Sequence, residues 1–520
     1  MKHAHSAAAT TPALLPGLRY YLYLTAFTTG AVIMVVEILG AKMLSPFVGT
    51  SHFVWTAQIA VTLVALACGY YAGGWLADRA RRLDGIYWAI AAAGTYLGIS
   101  IKLVEPVAFG CLEFNLAVGT LLASMVLFFV PLALLAMTGP FLIRFVTASL
   151  SAVGGSVGRL TAIGTLGSFA GTMLIGYVMI PLLANPPAMF ATALALLVVS
   201  AAYFLFTPRR GAMSLPLLAG VTVGILTLPE LLGPPRHTRM VERFRGNSHF
   251  GQLLVLDRPD GSCRYYLNDN LIQNTYAPET RQSVSTFTYM LSGLARAYTT
   301  NLHDVLCIGL GVGIVPSEFA REGARVDVVE INPAVVPVAR RFFDFDPGRV
   351  SLYLGDGRHY LNRCSRQYDT VILDAFLGDS SPSHLMTREA FAAIRRVLRP
   401  GGTLVINSFA DATPGQDFFA ASLGKTLRAV FPGVRLHSNS DGAIFFVATD
   451  RPHPEFVRPP DFSQVHPDVR LPTERAFNNR VEVPSEHGLV LTDDYNPVEF
   501  YDAHHRENIR RELARATRFL

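Results

Sequence analysis

The order of apolar and polar positions changes once along the chain. Up to about residue 235 apolar residues run on in long stretches with few charges, and a bilayer core needs about 20 such residues per helix. The spacing predicts membrane helices near 20–44, 54–77, 86–104, 115–137, 160–184, 187–206 and 213–231. After the turn-like Gly233-Pro-Pro-Arg236 the runs become short. Alternating segments such as Gly251–Asp257 and Arg264–Leu267, divided by Pro259-Asp-Gly-Ser262, predict a β-hairpin unit over about 245–275. A helix over about 278–297 follows. Strands at 304–308, 325–330, 350–354, 370–373 and 402–407 then alternate with helices at 314–322 and 333–343. That alternation predicts a doubly wound α/β sheet over about 276–450, with a tail at 451–520. The fold class is therefore an α-helical multi-pass membrane bundle at 1–235 joined to a Rossmann-like, methyltransferase-type α/β domain within 236–520.

Composition sharpens this division. The 520 residues are 51% hydrophobic and 16% charged, with a net charge of +5, and their mean hydropathy is +0.33. A disordered chain is excluded, and the balance is too apolar for an ordinary soluble enzyme. Residues 20–235 hold only 15 of the 83 Asp, Glu, Lys and Arg residues. The five cysteines form no CxxC pair or metal-ligand spacing, so neither a disulfide scaffold nor a metal site is expected. No long basic run is interleaved with aromatics; the expected partner is a lipid bilayer and not a nucleic acid.

Basic residues cluster at Arg79–Arg82, at Arg144 and Arg159, and at Arg209-Arg210, in the second, fourth and sixth connections. The positive-inside rule puts those connections and the N-terminal tail in the cytoplasm. Seven crossings would leave the second half outside, away from a nucleotide-derived cofactor. An even number of crossings of the cell (inner) membrane and a cytoplasmic soluble domain are therefore expected. The weakest stretches are 213–231, with Pro216 and Pro229, and Gly139–Gly158. Glu37, mid-span, is expected to pair with Lys42, Arg144 or Arg159, or to serve transport. The run Gly69–Arg79 resembles a loop of major-facilitator transporters, and it and Gly164–Gly171 also read as close helix packing.

In a doubly wound sheet the ligand lies beyond the carboxyl ends of the strands. Gly309, Gly311 and Gly313 follow the first strand, where lack of a Cβ admits a ligand to the backbone. Glu330 ends the second strand and suits ribose hydroxyls; Asp356 follows the third and suits an adenine amino group. Both a nicotinamide dinucleotide and an adenosyl thioether fit these acids. The turn lacks the six-position G-x-G-x-x-G, while Asp356-Gly357 and the turn Leu398–Gly402 point toward the second.

Together these residues resemble the spermidine synthase family, and in particular its membrane-fused bacterial branch of polyamine aminopropyltransferases. The resemblance covers about Ser248–Asp450, with Leu491–Val498 similar to the tail of that branch. It implies decarboxylated S-adenosylmethionine as co-substrate, Glu330 on the ribose, Asp356 and Gly357 on the adenine, Pro382 at the cofactor, and Asp374 as the catalytic base. The loop Ala375–Met386, with Pro382 and His384, would close over the site. Gln252, Tyr289 and Asp379 would meet a small-molecule amine, and a homo-oligomer is implied. Val312 and Leu377 stand where the family has aspartates that hold the amine, and Thr288 or Tyr289 replaces its histidine. The expected reaction is aminopropyl transfer to putrescine or a related amine; the alternatives are S-adenosylmethionine-dependent methyl transfer and a transporter or sensor with a non-catalytic adenosyl domain.

Overall fold

The computed structural model describes residues 16–49, 52–80, 82–111, 113–147, 153–205, 213–232, 240–269, 271–376, 382–439 and 442–497. They form two compact units, divided between Pro234 and Pro235.

In the first unit seven described helices are long and apolar enough to cross a membrane: Gly17–Val48, Phe53–Arg79, Asp84–Cys111, Leu116–Val146, Val153–Leu182, Asn185–Leu205 and Ser214–Leu232. Most outrun their apolar windows, because helical hydrogen bonding continues into polar ends such as Trp75–Arg79. The fourth and fifth each contain a π-turn, at Met125–Phe129 and Ile175–Met179. Pro131 and Pro181 follow directly; each removes a backbone donor and pushes on the preceding turn. The Gly139–Gly158 stretch contributes no separate re-entrant piece among the described residues, since Thr138–Val146 continues the fourth helix and Val153 opens the fifth.

The last helix is an integral member of the bundle. A Cβ at Gly98 would collide with Val223, and Lys102 Nζ lies 3.3 Å from Glu230 Oε1. Both contacts advance in the same direction, so this helix runs parallel to Asp84–Cys111. Pro216 sits in its first turn and Pro229 close to its end, positions that leave the helix unbroken. The seven described helices match the seven predicted stretches in number. Both glycine runs serve packing: Gly167 and Gly171 meet the backbone at Phe27 and Ala31, and Gly69 and Gly73 meet the backbone at Ala133 and Met137. Glu37 lies beside Thr62, whose hydroxyl donates to the Gln58 main-chain carbonyl, and among the described residues no ion pair joins Glu37 to Lys42, Arg144 or Arg159.

The second unit opens with a five-stranded antiparallel sheet, larger than a hairpin: β1 (Val241–Ser248), β2 (Gly251–Asp257), β3 (Arg264–Asn268), β4 (Leu271–Ala277) and β5 (Gln282–Ser283), in that order. β5 takes residues expected to be helical. Pairing with β4 satisfies its backbone, so the helix starts only at Thr286 and ends at Tyr298.

The remaining strands are β6 (Asp304–Ile308), β7 (Arg325–Glu330), β8 (Ser351–Leu354), β9 (Tyr368–Leu373), β10 (Leu398–Phe409), β11 (Gly433–Ser438), β12 (Ala443–Thr449) and β13 (Arg480–Val481). They form one sheet in the order β13-β11-β12-β10-β9-β6-β7-β8. β10, β9, β6, β7 and β8 are parallel to their neighbours, while β12, β11 and β13 add an antiparallel flank. The stretch Leu398–Gly402, expected as a turn, is the start of β10, whose register to β9 breaks between Leu398 and Thr403. The supposed tail supplies the helix Pro467–Asn478 and β13.

Burial on both faces explains why the parallel strands are nearly uniform in apolar content. Side chains alternate between two cores with period two: Val305, Cys307, Val328, Ile372 and Val405 enter one, and Leu306, Ile308, Val329, Leu373 and Ile406 the other. At the amino ends, Asp304 is bound by Arg325 and Arg399, and Asp327 by Arg366. These charges stay at the end of the sheet away from the glycine turn.

Candidate active site

The carboxyl ends of the parallel strands open into a cavity of about 560 Å³. β6 ends there in Ile308 and Gly309, β7 in Val329 and Glu330, β9 in Asp374, and β10 in Asn407 and Phe409; Gly355, Asp356 and Gly357 follow β8. The antiparallel sheet supplies Tyr266, Asn268, Ile272, Gln273 and Asn274. Glu330, Asp356 and Asp374, drawn from three different strand ends, face one space.

Gly309 and Gly311 both have positive φ, +100° and +55°, which a side chain opposes. A Cβ on Gly309 would also collide with the Asp374 carbonyl; the turn and the end of β9 are packed backbone on backbone. Glu330 is buried, and its two oxygens accept from the amides of Leu310 (2.9 Å) and Asn332 (2.7 Å). Burial pushes its carboxyl up from the usual range, against the pull of those amides.

Asp356 caps the helix Gly357–Arg363 by accepting from the His359 amide at 2.9 Å, and its other oxygen lies 2.8 Å from His384 Nε2. Burial favours its protonation, but the amide and the imidazole outweigh burial and hold the carboxyl below its ordinary value. Asp374 lines the cavity and is half-buried. Burial raises its pKa to about 6, with the Asn407 side chain opposing part of the rise. Asn407 Nδ2 donates to Asp374 Oδ1 at 3.0 Å, while Asn407 Oδ1 is buried without a partner.

Pro382 and His384 line the cavity around the short turn Ser383–Leu385. Asp379 falls outside the described residues. Three expected residues stand elsewhere. Gly313 caps the helix Ile314–Arg321 with φ +83°, and a Cβ there would run into Phe345; its absent side chain serves packing. Gln252 is on β2, hydrogen-bonded to Arg245 and Asn247. Tyr289 donates to the Ser283 carbonyl and borders a different cavity with Arg281, Arg296 and Glu318. Val312, where the resemblance implies an acid, is 1% exposed and part of the core. The sequence reading missed Asn407, Asn268, Asn274, Tyr266 and Phe287. Of these only Asn407 left a signal, as the polar end of the apolar run Leu404-Val-Ile406.

A parallel sheet with a glycine turn after its first strand and acids at the next strand ends is a Rossmann-like fold of the methyltransferase type. Residues 285–436 match the family profile of the spermine/spermidine synthase domain. A polyamine aminopropyltransferase of Vibrio vulnificus is 41% identical over 111 residues, covering 20% of this chain and 37% of that protein. A putrescine N-methyltransferase of Nicotiana attenuata is 34% identical over 126 residues, or 23% of this chain and 34% of that one. The chain spans about a third of the length of these relatives. The crystal structure of spermidine synthase from Thermotoga maritima is 20% identical, with a TM-score of 0.35 over 40% of this chain and 73% of that one.

Proposed function

We propose that the second unit transfers an aminopropyl group from decarboxylated S-adenosylmethionine to putrescine or a related amine, and that the helical unit spans a membrane. The carrying observation is Asp374: a carboxylate deep in the cavity, with its pKa near 6 and anchored by Asn407. At neutral pH it is mostly ionised and accepts a proton from the incoming amine, whose freed lone pair displaces methylthioadenosine from the sulfonium carbon. Asn407 Oδ1, unpartnered, is suited to take a second N–H of the same nitrogen and so orient the lone pair. Glu330 would receive the ribose hydroxyls and the glycine turn the adjoining backbone side of the nucleoside.

The cavity favours the decarboxylated donor. Among its described lining residues there is no lysine or arginine, and the intervening sequence Leu377-Gly-Asp-Ser-Ser381 contributes none. An amino-acid tail would bring a carboxylate with no cation to meet it; an aminopropyl tail brings only a cation. Purified full-length protein is expected to consume decarboxylated S-adenosylmethionine with putrescine and release methylthioadenosine. Asp374→Asn should slow this by about 10²–10⁴-fold, and equal release by both proteins would refute the assignment.

A second reading, methyl transfer to an amine, is favoured by the apolar burial of Val312, which removes an acid for the far end of a diamine. Thermal-shift titration separates the two. A methyltransferase is stabilised more by S-adenosylmethionine and S-adenosylhomocysteine, an aminopropyltransferase by the decarboxylated donor.

A further inference from the structure

The helical unit holds polar side chains that its packing does not use. Gln58 is fully buried, and neither its Oε1 nor its Nε2 has a partner. A Cβ at Gly40 would stand 3.0 Å from Gln58 Nε2 and 3.0 Å from the Phe128 ring, so the carboxamide is held where the first, second and fourth helices meet. One turn back along the first helix is Glu37. One turn on along the second is Thr62, which lies beside Glu37 and donates its hydroxyl to the Gln58 main-chain carbonyl at 2.9 Å. Glu37 and Gly40 thus face Thr62 and Gln58 across an antiparallel seam.

The fourth helix adds Ser124, fully buried and also unpartnered, one turn before Phe128. Gly69 packs on Ala133 and Gly73 on Met137, so the second and fourth helices run parallel at a constant offset. The same offset carries Ser124 to the level between Gln58 and Thr62.

Buried polar groups in native proteins are nearly always paired, and a bilayer interior has little water to pair them. The seam offers two buried oxygens without a partner, Gln58 Oε1 and Ser124 Oγ, beside the half-buried Glu37 carboxylate. A primary ammonium has three N–H donors and one charge, which matches that set. A divalent cation would call for more oxygens and more carboxylates than one.

We propose that Glu37, Gln58 and Ser124 form an intramembrane site for a primary ammonium. The preference for an amine over an alkali cation rests on the proposed chemistry of the second unit; the oxygen site itself does not.

The test uses the full chain in lipid nanodiscs with Asp374→Asn as background, so that no turnover occurs, and measures bound radiolabelled putrescine at equilibrium. Adding Glu37→Gln or Gln58→Leu is expected to remove one equivalent of bound putrescine per chain, and Ser124→Ala to weaken that equivalent severalfold. Gln58→Leu should leave the melting temperature unchanged or higher, which separates loss of the site from loss of the fold. Exchange of sodium for N-methylglucamine should leave binding unchanged. The proposal is overturned if either variant retains the full stoichiometry, or if sodium alone displaces putrescine. Methylthioadenosine release by the wild type is scored separately, so a silent enzyme with an intact bundle site refutes only the reading of the second unit.

Discussion

At Asp374 the protein keeps a carboxylate where burial opposes its charge. The proposed reaction needs the ionised form, so kcat/KM should fall about tenfold per pH unit below about 6, and a pH–rate profile checks this. Asn407 pulls that pKa down, so Asn407→Leu is expected to move the acid limb upward and to lower kcat about 10- to 100-fold through the lost orientation of the amine. The same burial has a cost in stability. A folded-state pKa above the ordinary 3.8 means that the folded protein binds a proton more readily than the unfolded chain, so stability is lost as pH rises from about 4 to 6. Asp374→Asn should therefore be more stable than the wild type by about 1–3 kcal/mol at pH 7.5, with little difference at pH 4, as read by denaturant titration.

The elements show why some of this was legible in the sequence. Glu330, Asp356 and Asp374 each follow an apolar run at the end of a strand or just past it, and parallel pairing carries such ends to one side. The glycine turn was equally readable, although Gly313 proved to be a helix cap against Phe345. The opposite wall was not readable. Tyr266, Asn268 and Asn274 belong to β3 and β4, and only the packing of one sheet against another brings them to the cavity. Tyr289 and Gln252 were misplaced for the same reason, since resemblance fixed their position along the chain but not the neighbours that occupy their polar groups. In the bundle, glycine spacing allowed both a transport motif and close packing, and backbone contact decided for packing. Gly167→Leu would drive a side chain into the backbone at Phe27; a loss of about 1–3 kcal/mol or more, measured by unfolding in detergent, is expected.

For the whole molecule the parallel course of the third and last helices matters most. Because Lys102 meets Glu230 near the trailing ends of both, crossing by all seven helices delivers the chain after Leu232 to the face opposite the Asp78–Arg82 connection. Two reporter fusions, one in that connection and one after Leu232, should register opposite sides of the bilayer; identical signals would mean that one helix does not cross. The outcome also fixes which pool of metabolites feeds the cavity. If all seven helices cross and the second unit faces the cytosol, the arginine-rich turn lies outside, against its usual bias. If all seven cross and the turn lies inside, the donor of the proposed reaction would have to reach a second unit stationed beyond the barrier, so a single ion pair between two helices ties the geography of that reaction to the count of spans.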